Sequence, residues 1–303
     1  MKPTLVVLAA GLGTRYGGLK QLDAVGPNGE TIIDYSVYDA VRAGFGEVVF
    51  VIRHYFEDAF REKVSSKFDG VVKTAYAHQE LDACLGDFEP SIDRDKPWGT
   101  GHAILVARDV VDRPFAVINA DDYYGPNSFD AILSFITAKD TAPDDYAMVG
   151  YTLKNTLSDY GAVSRGVCEC DEQMFLRKIV ERKEIEKHAD GARYFDADGA
   201  EHPLTGGEIV SMNLWGFQPS VFDRFQSHFE KFLRDQGDQN SSELLIPSVT
   251  DGLIKSGKAT IKVLRTDDSW FGVTYRRDKA IAIECVRRLI DRGIYPERLW
   301  AQR

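Results

Sequence analysis

Leu5-Val6-Val7-Leu8-Ala9-Ala10 runs without a break into Gly11-Leu12-Gly13-Thr14-Arg15-Tyr16-Gly17-Gly18-Leu19-Lys20. The first six residues are apolar and rich in β-branched and aliphatic side chains, with no polar alternation, which reads as a strand buried on both faces. The loop behind it holds four glycines within eight residues, flanked by Arg15 and Lys20. Glycines at that density mean a backbone that approaches a ligand closely or adopts positive φ. Successive N–H groups on such a loop form an anion-binding nest, to which the two cations add charge. Two familiar phosphate loops do not fit. A dinucleotide fingerprint G-x-G-x-x-G needs glycine at position 16, where Tyr16 stands, and a Walker A loop ends in G-K-[ST], unlike Gly18-Leu19-Lys20-Gln21.

Outward from this loop, strand and helix patterns alternate. Strands are expected at 5–10, 47–52, 71–77, 115–119 and 146–152, and helices at 32–43, 55–67, 102–107 and 128–138. Repeated βαβ units imply an α/β fold, a Rossmann-like, mostly parallel sheet with helices on both faces. Ligands of such sheets sit at the carboxyl ends of the strands, here the loops after Ala10, Ala77 and Asn119. The second half reads as strands at 162–170, 174–181, 209–218 and 260–264, and helices at 221–235, 242–256 and 278–292. The polar, Asp- and Gly-rich stretch 184–207 reads as a surface excursion. No composition break marks a boundary, so residues 1–303 form one expected domain, with a nucleotide-binding half (1–152) and a smaller acceptor-binding half (153–303) that carries a C-terminal helix.

The chain has 303 residues, 44% hydrophobic and 28% charged, an ordinary globular composition. Its net charge of −10 disfavours nucleic acid as a partner, since phosphate neutralisation dominates that binding. No apolar run is long enough to span a membrane. The first strand lacks the length and cleavage site of a secretory signal, and the four cysteines form no CxxC pair. Buried, reduced thiols and a cytoplasmic protein are therefore expected.

The run Leu8-Ala9-Ala10-Gly11-Leu12-Gly13-Thr14-Arg15 through Lys20 resembles the signature of the sugar-phosphate nucleotidyltransferases, L-A-A-G-x-G-T-R-(variable)-P-K, with Leu19 in place of the proline. The resemblance recurs more loosely over most of the chain and implies the GT-A-like nucleotidyltransferase fold. It assigns Ala9, Ala10, Gly11, Gly13 and Thr14 to nucleotide binding and makes Arg15 and Lys20 catalytic cations. Gln79, followed by Gly99-Thr100-Gly101-His102, resembles the family's base-recognition pair; a side-chain amide can meet a pyrimidine's carbonyl and N3–H together. His102 reads as a packing residue, and the acidic stretch 80–97 as a candidate lid.

Ala116-Val117-Ile118-Asn119-Ala120-Asp121-Asp122 resembles the family's apolar strand ending in G-D, which makes Asp121 the expected Mg²⁺ ligand, with Asp122 pairing elsewhere. Asp159-Tyr160-Gly161 is similar to the Y-G turn near the acceptor. Glu181-Arg182-Lys183 is similar to the E-K-P element, so Glu181 is expected on acceptor hydroxyls and Arg182 on phosphate, with Lys183 as an alternative. Asn213 matches an acceptor-side asparagine. The second metal ligand of the family, the aspartate of W-x-D-x-G-T, has no counterpart after Trp270; Asp268, or Asp267 beside it, stands in as the expected ligand, the alternative being Asp121 with waters and NTP phosphates alone.

No Ser-His-Asp set or general base is legible, and nucleotidyl transfer needs none. A phosphate monoester is largely dianionic near neutral pH and attacks the NTP α-phosphorus directly, so catalysis reduces to positioning and charge neutralisation. The expected reaction is transfer of a nucleoside monophosphate from an NTP, a pyrimidine one on the strength of Gln79, to a sugar 1-phosphate. Transfer to a non-sugar phosphate such as phosphocholine, and nucleotide-sugar binding without catalysis, stay open.

Overall fold

The computed structural model describes residues 2–11, 23–188, 191–196, 198–273 and 277–300. The strands are β1 (Thr4–Leu8), β2 (Glu47–Ile52), β3 (Lys73–His78), β4 (Phe115–Asn119), β5 (Asp122–Tyr123), β6 (Asp145–Thr152), β7 (Val163–Cys170), β8 (Leu176–His188), β9 (Gly191–Phe195), β10 (Glu201–Leu204), β11 (Ile209–Phe217), β12 (Thr260–Arg265) and β13 (Phe271–Gly272). The helices are α1 (Ile32–Ala43), α2 (Glu57–Lys63), α3 (Thr100–Leu105), α4 (Pro126–Ile136), α5 (Val221–Gln236), α6 (Ile246–Lys255) and α7 (Asp278–Asp291).

One mixed sheet carries the fold, in the order β10-β9-β8-β7-β11-β4-β1-β2-β3, with β6 and β12 paired beside β11. Its first-half strands run parallel, β4 and β2 flanking β1 and β3 outside β2. Strand β11 then joins β4 antiparallel and reverses the direction of the sheet. Both halves of the chain therefore share one sheet.

The lack of alternation in β1 has a direct consequence: Val6 packs into the layer on one face and Leu5 and Val7 into the layer on the other, all fully buried. The first layer is closed by α3, α5 and α6, with Trp98, Trp215, Phe225 and Phe229 at its centre. The second is closed by α1, α2 and α4. Helix α5 shows why: Val221, Phe222, Phe225, Phe229, Phe232 and Leu233 recur at helical spacing and are all buried. Helix α1 starts on a capping box in which the Thr31 N–H and hydroxyl both donate to Asp34 Oδ2, at 2.7 and 2.9 Å, a device worth about 1 kcal/mol. It stops at Gly44, whose φ of 123° any side chain would resist.

Residues 184–207 are not an irregular excursion. Strand β8 continues through the first of them to His188, and β9 and β10 extend the sheet antiparallel. The polar composition hid a period of two, in which Ile185 and Ala192 are buried and Tyr194 and Leu204 pack on the same layer. The terminal strand β10 carries Pro203, which blunts the open edge.

Candidate functional site

The parallel half brings the expected nucleotide residues to one end of the sheet. Ala9 and Ala10 follow β1 and are buried, and the Ala9 N–H donates to Val51 O at 2.8 Å. Gly11 is exposed just beyond them. Gly13, Thr14, Arg15 and Lys20 lie outside the described residues.

Gln79 follows β3, its N–H bonded to Ile52 O at 2.8 Å. Its side chain is buried, and Nε2 donates to Gly99 O at 2.9 Å, with His102 Nδ1 at 3.4 Å. His102 donates in turn through Nε2 to Ala83 O, 2.9 Å away, and stacks on Phe229. Burial pushes its pKa down to about 4, so the ring is neutral and structural. The Gln79 carbonyl oxygen forms no hydrogen bond among the described residues.

Gly99 has φ of 98°, and a Cβ there would sit 2.5 Å from Leu244 O. This glycine is required because the chain 243–246 lies directly against it. The Gly101 N–H donates to Leu244 O, and Thr100 Oγ1 accepts from the Ile246 N–H at 3.1 Å, at the start of α6. Thr100 is thus committed to the α3–α6 junction. That junction is clamped by Arg94, which sequence reading missed. Its guanidinium donates to Gln239 O (3.0 Å), Ser242 O (2.7 Å) and Pro97 O (3.4 Å) and lies 3.4 Å over the Trp98 ring. The end of the expected lid, 94–97, is therefore pinned to the body of the protein. An arginine four residues before a tryptophan within an acidic run was the available signal.

At the end of β4, Asp121 is half-buried, and its carbonyl accepts from the Val273 N–H at 3.1 Å. Asp122 is buried, and its Oδ2 accepts from Asn119 Nδ2 at 2.8 Å and the Tyr124 hydroxyl at 3.4 Å. The position two residues after Trp270 is Gly272, which pairs with Asp122 across β5 and β13. A Cβ on Gly272 would lie 2.4 Å from Asp122 Oδ1, so the Asp122 carboxylate fills the space in which an aspartate side chain at 272 would begin. Asp268 is not placed as a metal ligand. Its Oδ2 accepts from the Ser128 N–H at 2.9 Å and its Oδ1 from Asn127 Nδ2 at 2.8 Å, which makes it a long-range cap on the N-terminus of α4. Among the described residues no group of three or more His, Cys, Asp or Glu is arranged to hold a metal.

On the acceptor side, Asn213 sits in an irregular stretch of β11 with φ of 62°. Its Nδ2 reaches Asn119 Oδ1 at 3.5 Å, linking it through Asn119 to Asp122. Gly161 is exposed in the bend before β7. Glu181 is half-buried in β8, and burial raises its carboxyl to about 7 against the pull of Arg165 and Lys183, with Glu243 adding to the rise. Glu243 packs against Gly99, which ties the acceptor side to the nucleotide side. Arg182 departs from expectation. Its guanidinium lies 4.7 Å over the Tyr194 ring in β9, and strand alternation turns it to the face opposite Glu181.

The sequence matches the family model described as nucleotidyl transferase over residues 4–273. AglF, a UTP–glucose-1-phosphate uridylyltransferase of Haloferax volcanii, is 24% identical over 278 residues, 90% of this chain and 92% of that protein. Two solved structures share the fold. A UDP-glucose pyrophosphorylase complexed with UDP-glucose superposes with a TM-score of 0.59 at 16% identity, covering 95% of this chain and 99% of that one. The inositol-1-phosphate CTP transferase from T. maritima gives 0.61 at 14% identity, covering 96% and 97%.

Proposed function

Since the chain belongs to the nucleotidyl transferase family, we propose that it transfers the nucleoside monophosphate of UTP or dTTP to a sugar 1-phosphate and releases pyrophosphate. The observation that carries this reading is the Gln79–Gly99 contact at the carboxyl end of β3. With Nε2 spent on Gly99 O, the amide offers a carbonyl oxygen to the base. Uracil and thymine carry an N3–H to meet it, and cytosine does not.

In this reaction an oxygen of the sugar phosphate attacks the α-phosphorus while the bond to the β-phosphate breaks. The glycine loop, with Arg15 and Lys20, offsets the charge on the triphosphate of an otherwise anionic protein. Glu181, with its carboxyl near pKa 7, exchanges hydrogen bonds with acceptor hydroxyls as donor or acceptor. Asn213 is held beside the same end of β4. A hard carboxylate at a strand end suits Mg²⁺, which keeps waters and substrate phosphates among its ligands, so Asp121 would hold that ion. When bound, Mg²⁺ supplies charge neutralisation at the phosphates. The four unpaired cysteines favour a cytoplasmic setting, where thiols stay reduced.

The test is a matrix of UTP, dTTP, CTP and GTP against glucose 1-phosphate, inositol 1-phosphate and phosphocholine, scored by pyrophosphate release. Activity confined to UTP or dTTP with a sugar 1-phosphate is expected. Release with phosphocholine alone removes the sugar acceptor, and tight nucleotide-sugar binding without release removes catalysis.

A further inference from the structure

A primary amide has two unlike ends, N–H donors on nitrogen and lone pairs on oxygen. Which end it shows a ligand is decided by its other neighbours. Gln79 has two of them: its Nε2 lies 2.9 Å from Gly99 O and 3.4 Å from His102 Nδ1. Gly99 O also takes the first bond of α3, from the Ala103 N–H at 3.1 Å. A carbonyl oxygen only accepts, so the atom of Gln79 that faces it is the nitrogen.

The His102 ring is able to work either way, since imidazole nitrogens exchange roles with the tautomer. Its surroundings choose one. The ring is fully buried, stacked on Phe229 at 4.9 Å, and its Nε2 lies 2.9 Å from Ala83 O. That carbonyl sits in a fixed turn: the Ala83 N–H donates to Glu80 O at 3.3 Å, and Leu81 O accepts from Trp98 Nε1 at 2.8 Å. Facing a carbonyl, Nε2 carries the proton. Burial, opposed by the Ala83 bond and assisted by the charge of Arg94, pushes the pKa down to about 4. Near neutral pH the ring therefore holds one proton, and Nδ1 is a bare lone pair that accepts the second N–H of Gln79. Turning the amide over sets its oxygen against two acceptors at once and leaves both without a donor.

We propose that His102 is a positioning residue for base selection: as the Nε2–H tautomer fixed by Ala83 O, it locks the Gln79 oxygen toward the nucleotide and so favours UTP and dTTP over CTP. Cytosine has an unprotonated N3 where uracil and thymine carry N3–H, so two acceptors meet. The assignment rests on the reading of Gln79 as the residue that meets the base. It gives His102 a role beyond packing and connects the acidic stretch 80–97 to the base through one ring.

The test pairs nitrogen NMR of the histidine-labelled protein with calorimetric titration of UTP and CTP in the presence of Mg²⁺. His102 should show a protonated Nε2 and an unprotonated Nδ1. His102→Phe keeps a ring against Phe229 and removes the acceptor; the preference for UTP over CTP should fall about five- to tenfold, chiefly through weaker UTP binding. His102→Asn loses the stack yet offers a carbonyl oxygen in place of Nδ1, and should keep the preference within about twofold. Gln79→Ala should abolish the preference, and adding His102→Phe should change it no further. A ring that only packs makes Asn the more damaging change and leaves the ratio alone. A proton on Nδ1, a wild-type ratio in the Phe variant, or an equal loss in the Asn variant overturns the lock alone. The spectrum of the wild type decides the tautomer even where a variant fails to fold. Equal binding of UTP and CTP by the wild type, or binding of neither, overturns the underlying reading of Gln79 as well.

Discussion

Tyr295 Oη lies 2.5 Å from Asp39 Oδ2, joining the segment after α7 to the buried face of α1. The same hydroxyl is 2.8 Å from that of Tyr123, the neighbour of Asp122, so the contact reaches the end of the sheet where the site is built. Asp39 is 1% exposed, and desolvation raises its carboxyl to about 7, opposed by the Tyr295 hydrogen bond and Arg42 and reinforced by Asp268 and Asp130. A raised pKa means the native state holds a proton that the unfolded chain has released. Stability from this group is therefore fully present below pH 4 and is lost as pH rises through about 7. A shift of this size sets an upper bound of roughly 4 kcal/mol. Urea unfolding of wild type and Asp39→Asn across pH 4 to 8 checks it, and the wild-type advantage should shrink steadily over that window. A difference independent of pH would show that Asp39 does not titrate as described.

The Asp268 cap makes a second prediction. Its carboxylate serves the N-terminus of α4 from 140 residues away, and Asp268→Ala leaves the Ser128 N–H without that partner. A loss of about 1–2 kcal/mol is expected from chemical denaturation. Metal affinity, measured by calorimetry with a non-hydrolysable NTP analogue, should not change. A variant of wild-type stability with weakened metal binding would return Asp268 to the metal site.

Gly272 and Asp122 should be energetically coupled. Gly272→Ala drives a methyl group to 2.4 Å from Asp122 Oδ1 and 2.8 Å from the Trp270 ring, so one of them must move. The expected cost is about 1–3 kcal/mol. In an Asp122→Ala background the cost of the same methyl should fall by about 1 kcal/mol in a double-mutant cycle. Strict additivity would mean that Trp270 alone resists the methyl.

The glycine loop is tested through its cation. Lys20→Ala should cut turnover by about a hundredfold or more, the scale of a lost transition-state charge contact. Its melting temperature should stay at the wild-type value. A normal turnover number would remove Lys20 from the mechanism.

The parts of this molecule written in local pattern were legible. The β1 run, the α1 span 32–43, the β2 span 47–52 and the β4 span 115–119 follow from apolar periodicity and glycine stops; the structure has the last three at those bounds and β1 at Thr4–Leu8 against the expected 5–10. Gln79 and Gly99 were singled out from separate segments and turn out to be in contact. What could not be read is long-range pairing. Asp268 looked like a ligand because it stands near Trp270 in sequence; only the fold shows Ser128 waiting for it. Arg182 was expected on phosphate because it stands at the lysine position of the E-K-P element; the strand turns its side chain to the face opposite Glu181, over Tyr194. The 184–207 arm was masked by its charge, since Asp and Gly in the turns outweighed the alternation of Ile185, Ala192 and Tyr194.

The most direct measurement is phosphorus NMR of the wild-type protein incubated with UTP, glucose 1-phosphate and Mg²⁺. The account predicts paired growth of inorganic pyrophosphate and of the diphosphate signals of UDP-glucose, in equal amounts, abolished by chelation. An unchanged spectrum, or slow hydrolysis of UTP with glucose 1-phosphate intact, would contradict it.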